Sequence, residues 1–178
     1  LLDVTMEDLH DMPKQLYDGK IKKLREKTQG QLIVKEYPTA SAHSGHFKSL
    51  INELALKKSF RPDVIFIDYL NICASSRFKG GNISSYFYIK AIAEELRGLA
   101  VEQNVPIFSA TQTTRTGFVS TDIGLEDTSE SFGLPATADF MFALMSNEEL
   151  EQLGQMKVKQ LKNRYNDPSV NRAFIIGV

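Results

Sequence analysis

Two polar side chains come directly after apolar stretches of the sequence, where strands are expected to end. Asp68 follows the apolar residues 64–67, and Gln112 follows the mostly apolar residues 105–110 after one intervening residue. A carboxylate at the tip of a buried strand can hold Mg²⁺ beside the phosphates of a nucleotide. A glutamine at a neighbouring tip can sense a γ-phosphate or orient a water molecule. Taken alone, each residue fits the ordinary interpretation better, Asp68 as a loop cap and Gln112 as a solvated turn residue.

A pair of basic residues forms the third candidate. Lys162 and Arg164 lie at the end of a later predicted strand, just before a turn at residues 166–168. An arginine in such a place can reach the nucleotide of a neighbouring subunit as an arginine finger. The alternative is a basic edge strand that discourages pairing between sheets.

The other reactive residue types give no comparable pattern. His10, His43 and His46 have no metal-ligating neighbours at suitable spacing, so we expect solvated histidines, the last two at the start of a helix. Cys73 is the single cysteine, which excludes an intramolecular disulfide and a Cys-rich zinc site. No partner histidine marks it as a nucleophile.

The composition is that of an ordinary globular domain. The 178 residues include 42% hydrophobic and 24% charged residues, with a net charge of -1, so the chain suits one domain better than two. A near-neutral chain does not indicate nucleic-acid binding, although basic residues can still line one channel. No apolar run reaches the roughly 18–20 residues of a membrane span, and no signal peptide opens the chain. We therefore expect a soluble protein of a reducing compartment.

The periodicity predicts alternating helices and strands over the first 110 residues. Helices are expected at about 14–28, from Ser44 onward and over 86–100, and strands at 32–34, 64–67 and 105–110. This alternation is typical of a mostly parallel sheet flanked by helices, whose ligands bind beyond the carboxyl ends of the strands. Apolar runs at 140–144, 156–161 and 174–176 predict antiparallel strands in the last third.

Two further features concern the ends of the chain. Thr5 and Asp8 have the spacing of a capping box for a first helix. The chain begins at Leu1, and residues 173–178 stop within an apolar, strand-like run. Native proteins rarely end in an unfinished edge strand, because such an edge invites aggregation. We therefore expect a piece of a longer chain.

The order of the candidate residues resembles the RecA-like motor domain of DnaB-family replicative helicases and, within that family, the members from T-even bacteriophages. The most similar segments are residues 62–70 (Pro-Asp-Val-Ile-Phe-Ile-Asp-Tyr-Leu), 90–100 (Lys-Ala-Ile-Ala-Glu-Glu-Leu-Arg-Gly-Leu-Ala) and 133–140 (Gly-Leu-Pro-Ala-Thr-Ala-Asp-Phe). The resemblance covers most of the chain. It implies an α/β fold with a RecA-like P-loop NTPase core, in which residues 1–178 form the C-terminal part of a single motor domain.

The resemblance implies a role for each residue of the candidate nucleotide site. Asp68 matches the Walker B aspartate, which binds Mg²⁺, usually through water. Gln112 matches the glutamine that couples the γ-phosphate to the DNA-binding loops. Arg164 matches an arginine finger that acts in trans across a hexamer interface, and Lys162 would contact the γ-phosphate beside it.

The resemblance also implies residues that contact DNA. Residues 129–133 (Ser-Glu-Ser-Phe-Gly) are similar to the loop that faces DNA in the central channel, with Glu130 and Gly133 as contacts. Arg115, shortly after Gln112, is a further candidate. Ser129 departs from the bacterial members, which have an arginine there, so their phosphate contact is not carried over to this position.

Two parts of the family's ATPase site do not occur in the sequence. There is no Gly-x-x-x-x-Gly-Lys-[Ser/Thr] motif, and the catalytic glutamate of the strand after the P-loop helix is absent too. Both would lie upstream of Leu1, so the resemblance implies a motor domain truncated on its N-terminal side. We expect the isolated segment neither to hydrolyse ATP nor to form a stable ring.

The function that the resemblance implies is part of an ATP-dependent, hexameric 5′→3′ replicative DNA helicase. Its cofactors would be ATP and Mg²⁺, and its partners single-stranded DNA, further subunits of a homo-hexamer, primase and a helicase loader. No membrane is expected, and the compartment would be the cytoplasm of the host cell. Three alternatives stay open: a RecA-like recombinase or clock-type ATPase, a catalytically dead RecA-like module that binds DNA or a partner, and an α/β domain that binds no nucleotide.

Overall fold

The computed structural model describes residues 4–78, 83–114, 123–128 and 133–178. The chain divides into two compact units, Leu1–Glu36 and Tyr37–Val178. The assignment of residues 1–178 to a single motor domain stays a prediction.

The first unit contains two helices, α1 (Met6–Asp11) and α2 (Lys14–Lys27). The predicted capping box is confirmed: Thr5 Oγ1 accepts from the backbone N–H of Asp8 at 3.0 Å, and the Asp8 carboxylate accepts from the N–H of Thr5 at 3.3 Å. Helix α2 matches the helix expected at 14–28, and Thr28 is its C-cap. Neither helix has a buried residue.

The strand predicted at residues 32–34 is not formed, so this expectation was wrong. Residues 28–38 have no regular secondary structure, and Leu32 and Val34 are 85% and 82% exposed. A strand needs a neighbour that completes its hydrogen bonds and covers one of its faces. The described residues pair no strand with this segment.

The core of the second unit is built around α4 (Ser85–Gln103), the helix predicted over 86–100. Its buried face packs against Leu70, Cys73 and Leu134, and Ile92 at its centre is only 1% exposed. Helix α3 (Ser44–Lys58) contacts α4 as well. Two shorter helices follow, α5 (Gly133–Thr137) and α6 (Glu148–Gln152). Among the described residues, no helix has both the length and the apolar character needed to cross a membrane.

The strands of the second unit form two separately hydrogen-bonded sheets. Strand β1 (Ile65–Ile67) pairs in parallel with β2 (Ile107–Ser109). Strands β3 (Phe140–Met145), β4 (Gln155–Asn163) and β5 (Ala173–Gly177) form an antiparallel sheet in that order. The predicted change from parallel to antiparallel pairing is confirmed, although the parallel part has two strands among the described residues.

The continuous apolar run at residues 64–67 predicts a strand that is covered on both faces, and this expectation was wrong. Side chains alternate between the faces of a strand, and only the face that carries Ile67 packs against the α4 core. On the other face, Phe66 is 72% exposed and stacks on Phe108 of β2, with ring centroids 5.3 Å apart. The apolar run in the sequence therefore reflects one face that is buried here and one that is open.

Candidate functional site

The parallel pairing of β1 and β2 brings Asp68 and Gln112 to the same edge of the sheet. Ile67 pairs with Ser109 at the carboxyl ends of the two strands, and Ser109 Oγ donates to the carbonyl of Ile67 at 2.9 Å. Asp68 follows one strand end directly, and Gln112 follows the other after two residues. The structure thus confirms that the two predicted strand tips are neighbours, while the roles of the two residues stay predictions.

The side chains of Asp68 and Gln112 are both exposed. Neither forms a hydrogen bond or an ion pair with another of the described residues. The backbone around them is held in place, because Thr111 Oγ1 donates to Asn71 Oδ1 at 2.8 Å and so joins the segments that follow the two strands. The peptide bond between Asp68 and Tyr69 is cis. The polar side chains of Asp68 and Gln112 thus stand on a backbone that is fixed by hydrogen bonds, which suits them to contact a ligand.

The donor set at this edge fits Mg²⁺ only in the company of a nucleotide. Within the described ranges, no three His, Cys, Asp or Glu side chains are grouped so that they could hold a metal ion. At phosphate sites, Mg²⁺ keeps several waters and uses one or two carboxylates together with substrate phosphates. Asp68 can supply that one carboxylate.

The segment after Gln112 is tied to the segment before the predicted DNA-facing loop. Thr113 forms an isolated antiparallel bridge with Thr128, and the N–H of Thr114 donates to the carbonyl of Asp127 at 2.7 Å. Residue 128 directly precedes residues 129–133 in the sequence. A displacement at Gln112 therefore has a short backbone route to the start of that loop.

The second candidate region surrounds the C-terminal end of α5. Lys162, near the end of β4, donates through Nζ to the carbonyls of Pro135 and, at 3.4 Å, Ala136. Arg164, just after β4, donates through Nη2 to the carbonyl of Ala136 at 2.9 Å. The two predicted basic residues therefore meet at one helix end, and the structure records no hydrogen bond or ion pair from either, among the described residues, to Asp68 or Gln112.

Two residues that the sequence analysis missed complete this region. Asp139 Oδ1 accepts from Arg97 Nη1 at 2.6 Å and lies 3.5 Å from Arg164 Nε. Arg97 also donates to the carbonyl of Thr137 at 2.8 Å. We call Arg97, Asp139, Lys162 and Arg164 the basic cluster. Arg97 and Asp139 fall within two segments that carry the family resemblance, but nothing in their spacing pairs them.

Positive charge predominates in the basic cluster. Burial lowers the pKa of Lys162, and the charges of Arg164 and Arg97 act in the same direction, whereas Asp139 raises it. Three cationic side chains share one carboxylate, so the cluster carries more positive than negative charge. Such a surplus suits an approaching phosphate chain, because charge-assisted hydrogen bonds to phosphate are strong.

Of the predicted DNA contacts, Arg115 and Glu130 lie outside the described residues. Gly133 is the first residue of α5 and is buried. A Cβ atom at this position would come within 3.1 Å of the Tyr86 ring on α4, so the close packing of α5 against α4 favours glycine here. The contact of Gly133 with DNA stays a prediction.

The histidines at the start of α3 act as caps. His43 Nδ1 accepts from the N–H of Gly45 at 3.0 Å, and His46 Nδ1 accepts from the N–H of His43 at 3.2 Å. His10 is exposed, and among the described residues its partner is the neighbouring Asp11, at 3.5 Å. Cys73 is buried in the core, and this burial raises the pKa of its thiol. A protonated, buried thiol is a poor nucleophile.

One further carboxylate holds the segment that follows the β1 tip. Glu95 on α4 accepts from Ser75 Oγ at 2.6 Å, Ser76 Oγ at 2.7 Å and Ser44 Oγ at 3.0 Å. Burial opposes ionisation of Glu95, but the hydrogen bonds from the three serines outweigh it and lower its pKa to about 2. Glu95 therefore fixes residues 75–76 and the first turn of α3 on the central helix.

The chain is similar to known proteins in both sequence and fold. No protein-family model matches the chain. Over its whole length the chain is 47% identical to the DnaB-like replicative helicase of enterobacteria phage T4, across 181 aligned residues, and it spans 38% of the length of that relative.

Two solved structures share the fold at low sequence identity. The first is a DnaB-like replicative helicase described with its interactions with primase; it is 17% identical, with a TM-score of 0.70, and the match covers 93% of this chain and 39% of that one. The second is an ATPase domain; it is 16% identical, with a TM-score of 0.74, and the match covers 98% of this chain and 62% of that one. The chain has the RecA-like α/β fold of these structures, and its predicted resemblance to DnaB-like replicative helicases is confirmed over its full length.

Proposed function

We propose that this chain is the C-terminal part of the motor of an ATP-dependent, hexameric replicative DNA helicase that moves 5′→3′ along single-stranded DNA. The observation that carries the proposal is the meeting of Asp68 and Gln112 at one sheet edge in a chain that is 47% identical to a replicative helicase. Residues 1–178 would form part of one motor domain, and the phosphate cradle would come from another part of the same protein.

At the strand tips, Asp68 would orient the water ligands of a magnesium ion, and Gln112 would contact the γ-phosphate. Bound MgATP supplies the phosphoryl group that is transferred to water and the divalent charge that stabilises it. The free amide of Gln112 and the links of Thr113 and Thr114 to residues 127–128 support a role in passing the state of the phosphate to the loop at 129–133. Glu130, Gly133 and Arg115 would contact DNA there, and binding to the DNA backbone should weaken with salt.

Arg164 and Lys162 would act on the nucleotide of a neighbouring subunit. The positive surplus of the basic cluster supports this role, and so does the absence of any link, among the described residues, between these side chains and the strand tips of their own chain. An arginine supplied in trans makes hydrolysis depend on the position of the neighbour, because the developing charge is stabilised only when both subunits are in register.

The wider assembly follows from the same proposal. The partners would be single-stranded DNA, five further copies of the protein, a helicase loader and primase, the last named with one structural neighbour. The compartment would be the cytoplasm of the host cell. The open face with Phe66 and Phe108 would pack against the remainder of the motor.

The test uses the full-length protein that carries this chain, with Arg164→Ala and, as a control, Arg172→Ala, another exposed arginine near β5. ATP hydrolysis with saturating single-stranded DNA and unwinding of a forked duplex are measured. Loss of an arginine finger should lower kcat by about 10³–10⁵-fold with little change in the KM for ATP, while the control stays active. Full activity of Arg164→Ala would contradict the proposal.

A mixing experiment tests the action in trans. Asp68→Asn and Arg164→Ala subunits should each be inactive alone. In a mixed hexamer, an interface formed by Arg164 of the first variant and Asp68 of the second is intact, so ATP hydrolysis should return in part. If mixing at any ratio leaves hydrolysis at the level of the single variants, Arg164 does not act across the interface.

A further inference from the structure

The last carbonyls of α5 are satisfied by cationic side chains from outside the helix. A helix leaves its final four carbonyls without intrahelical partners. In α5 the N–H of Ala138 reaches the carbonyl of Leu134 at 3.2 Å. The next three carbonyls, at residues 135–137, accept instead from the side chains of Lys162, Arg164 and Arg97. The end of α5 is thus a fixed surface on which the two proposed trans-acting residues rest.

Asp139 connects this surface to Arg164 in two ways. Its backbone carbonyl accepts from the N–H of Arg164 at 2.9 Å, and its carboxylate lies 3.5 Å from Arg164 Nε. The same carboxylate atom accepts from Arg97 at 2.6 Å. Asp139 therefore stands between two guanidinium groups that would otherwise repel each other.

Arg97 is the member that ties the cluster to the core. It projects from α4, whose neighbouring residues Leu96 and Leu99 are 5% and 4% exposed. Its donors hold both Thr137 and Asp139, so the end of α5 and the carboxylate beside Arg164 share one anchor. The other end of α5 packs close to the same helix, because a Cβ atom at Gly133 would come within 3.1 Å of the Tyr86 ring.

We propose that Arg97 and Asp139 are positioning residues that set the direction of Arg164 toward a neighbouring subunit's nucleotide. This inference rests on the proposed function. Arg97 and Asp139 would touch neither nucleotide nor DNA. They would act by holding the guanidinium of Arg164 in one orientation. The Arg164 side chain then needs no reorientation when the neighbour's nucleotide approaches.

The test compares Arg97→Gln and Asp139→Asn with Arg77→Gln in the full-length protein. Arg77 pairs with Glu94 on the same helix, and Arg77→Gln removes the same charge without touching α5. We expect the first two variants to lose about 10–100-fold in kcat with the KM for ATP within about threefold, because the lost interaction acts in the transition state. The control should keep its activity. Because the carbonyl of Thr137 loses its donor, Arg97→Gln should also lower the melting temperature by about 2–4 °C, but the fraction of folded hexamer at the assay temperature should match the control. A merely structural role would not confine the loss to kcat.

A second comparison shows whether the effect passes through Arg164. Adding Arg97→Gln to Arg164→Ala should cause no further loss, because the group that Arg97 positions is already gone. A further tenfold loss would overturn the inference, as would normal kcat in both Arg97→Gln and Asp139→Asn while Arg164→Ala is inactive. If Arg97→Gln does not fold, the nearly isosteric Asp139→Asn decides the question alone. Full activity of Arg164→Ala itself would instead overturn the proposed function.

Discussion

The two candidate regions of the molecule differ in how their functional side chains are held. At the strand tips, Asp68 and Gln112 are exposed and form no hydrogen bond or ion pair within the described residues. In the basic cluster, Lys162 and Arg164 both bond to the end of α5, and Asp139 adds an ion pair to Arg164. The first region has free side chains on a fixed backbone, whereas the second has side chains fixed by their surroundings.

The difference has a physical reason under the proposed function. A group that meets a ligand bound within its own protein can be oriented by that ligand, and strong bonds to protein would compete with it. A group that must reach a ligand on another subunit gains from being held in advance, because each long side chain otherwise loses conformational entropy, about 2 kcal/mol for arginine or lysine, at the moment of contact. Substitutions at the strand tips should therefore lower activity without lowering stability, whereas substitutions in the basic cluster should lower both.

At the strand tips we expect a large effect on activity with none on stability. Asp68→Asn should lower ATP hydrolysis in the full-length protein on the order of 10³-fold, because the charge that orients the magnesium ligands is lost. The melting temperature of the protein without nucleotide should not fall, because the described residues give Asp68 no partner to lose. Calorimetry and a steady-state ATPase assay measure the two quantities on the same sample.

Asp63→Asn is the matched control, since Asp63 is an exposed carboxylate at the opposite end of the same strand. It should change neither quantity. A fall of several degrees in the melting temperature of Asp68→Asn would show that Asp68 is partnered in the folded protein. The contrast between the two regions would then fail.

At Lys162 of the basic cluster we expect a smaller loss of activity than at Asp68, together with a loss of stability. Lys162→Ala should lower kcat on the order of 10²-fold and also lower the melting temperature by about 2–4 °C, since the carbonyl of Pro135 loses its donor. Lys157→Ala, on the same strand, is the control for loss of a lysine from β4. If Lys162→Ala lost activity with no change in stability, its bonds to α5 would contribute nothing to the fold.

The strand tips could be predicted from the sequence because the signal there is local. Residues 64–67 and 105–110 are apolar runs within a regular alternation of strands and helices, and the polar residue after each run marks the edge where ligands bind. The same local reasoning found the capping box at Thr5 and Asp8. It also placed His43 and His46 at the start of a helix, although not as its caps.

The basic cluster could be predicted only in part, because it depends on contacts between distant segments. Arg97 and Asp139 are 42 residues apart in sequence and meet only when α5 packs on α4. No periodicity encodes that meeting. The strand expected at residues 32–34 fails for a related reason: its residues have strand-like chemistry, but a strand forms only beside a partner.

A third carboxylate offers the sharpest contrast with Asp68. Glu95 accepts from the hydroxyls of Ser44, Ser75 and Ser76, and from two backbone N–H groups in addition. It should matter for stability and not for the chemistry of hydrolysis. Glu95→Gln should lower the free energy of unfolding by about 1.5–3 kcal/mol at pH 7, the range for hydrogen bonds to a charged group. For a chain of this size that is roughly 3–12 °C in melting temperature.

The pH dependence of this effect distinguishes Glu95 from its neighbour Glu94. The pKa of Glu95 is lowered from 4.5 to about 2 in the folded chain, so the folded state binds fewer protons than the unfolded state between these values. Its contribution to stability is therefore complete above about pH 4.5 and is lost progressively as the pH falls toward 2. The gap in melting temperature between the unsubstituted chain and Glu95→Gln should narrow over that window.

The control is Glu94→Gln, which removes the exposed ion pairs with Arg77 and Lys90. This substitution should cost less than about 1 kcal/mol and leave the pH profile of the unsubstituted chain intact. A gap for Glu95→Gln that stayed constant from pH 6 to pH 2 would mean that the serine hydroxyls do not hold Glu95 in its charged form.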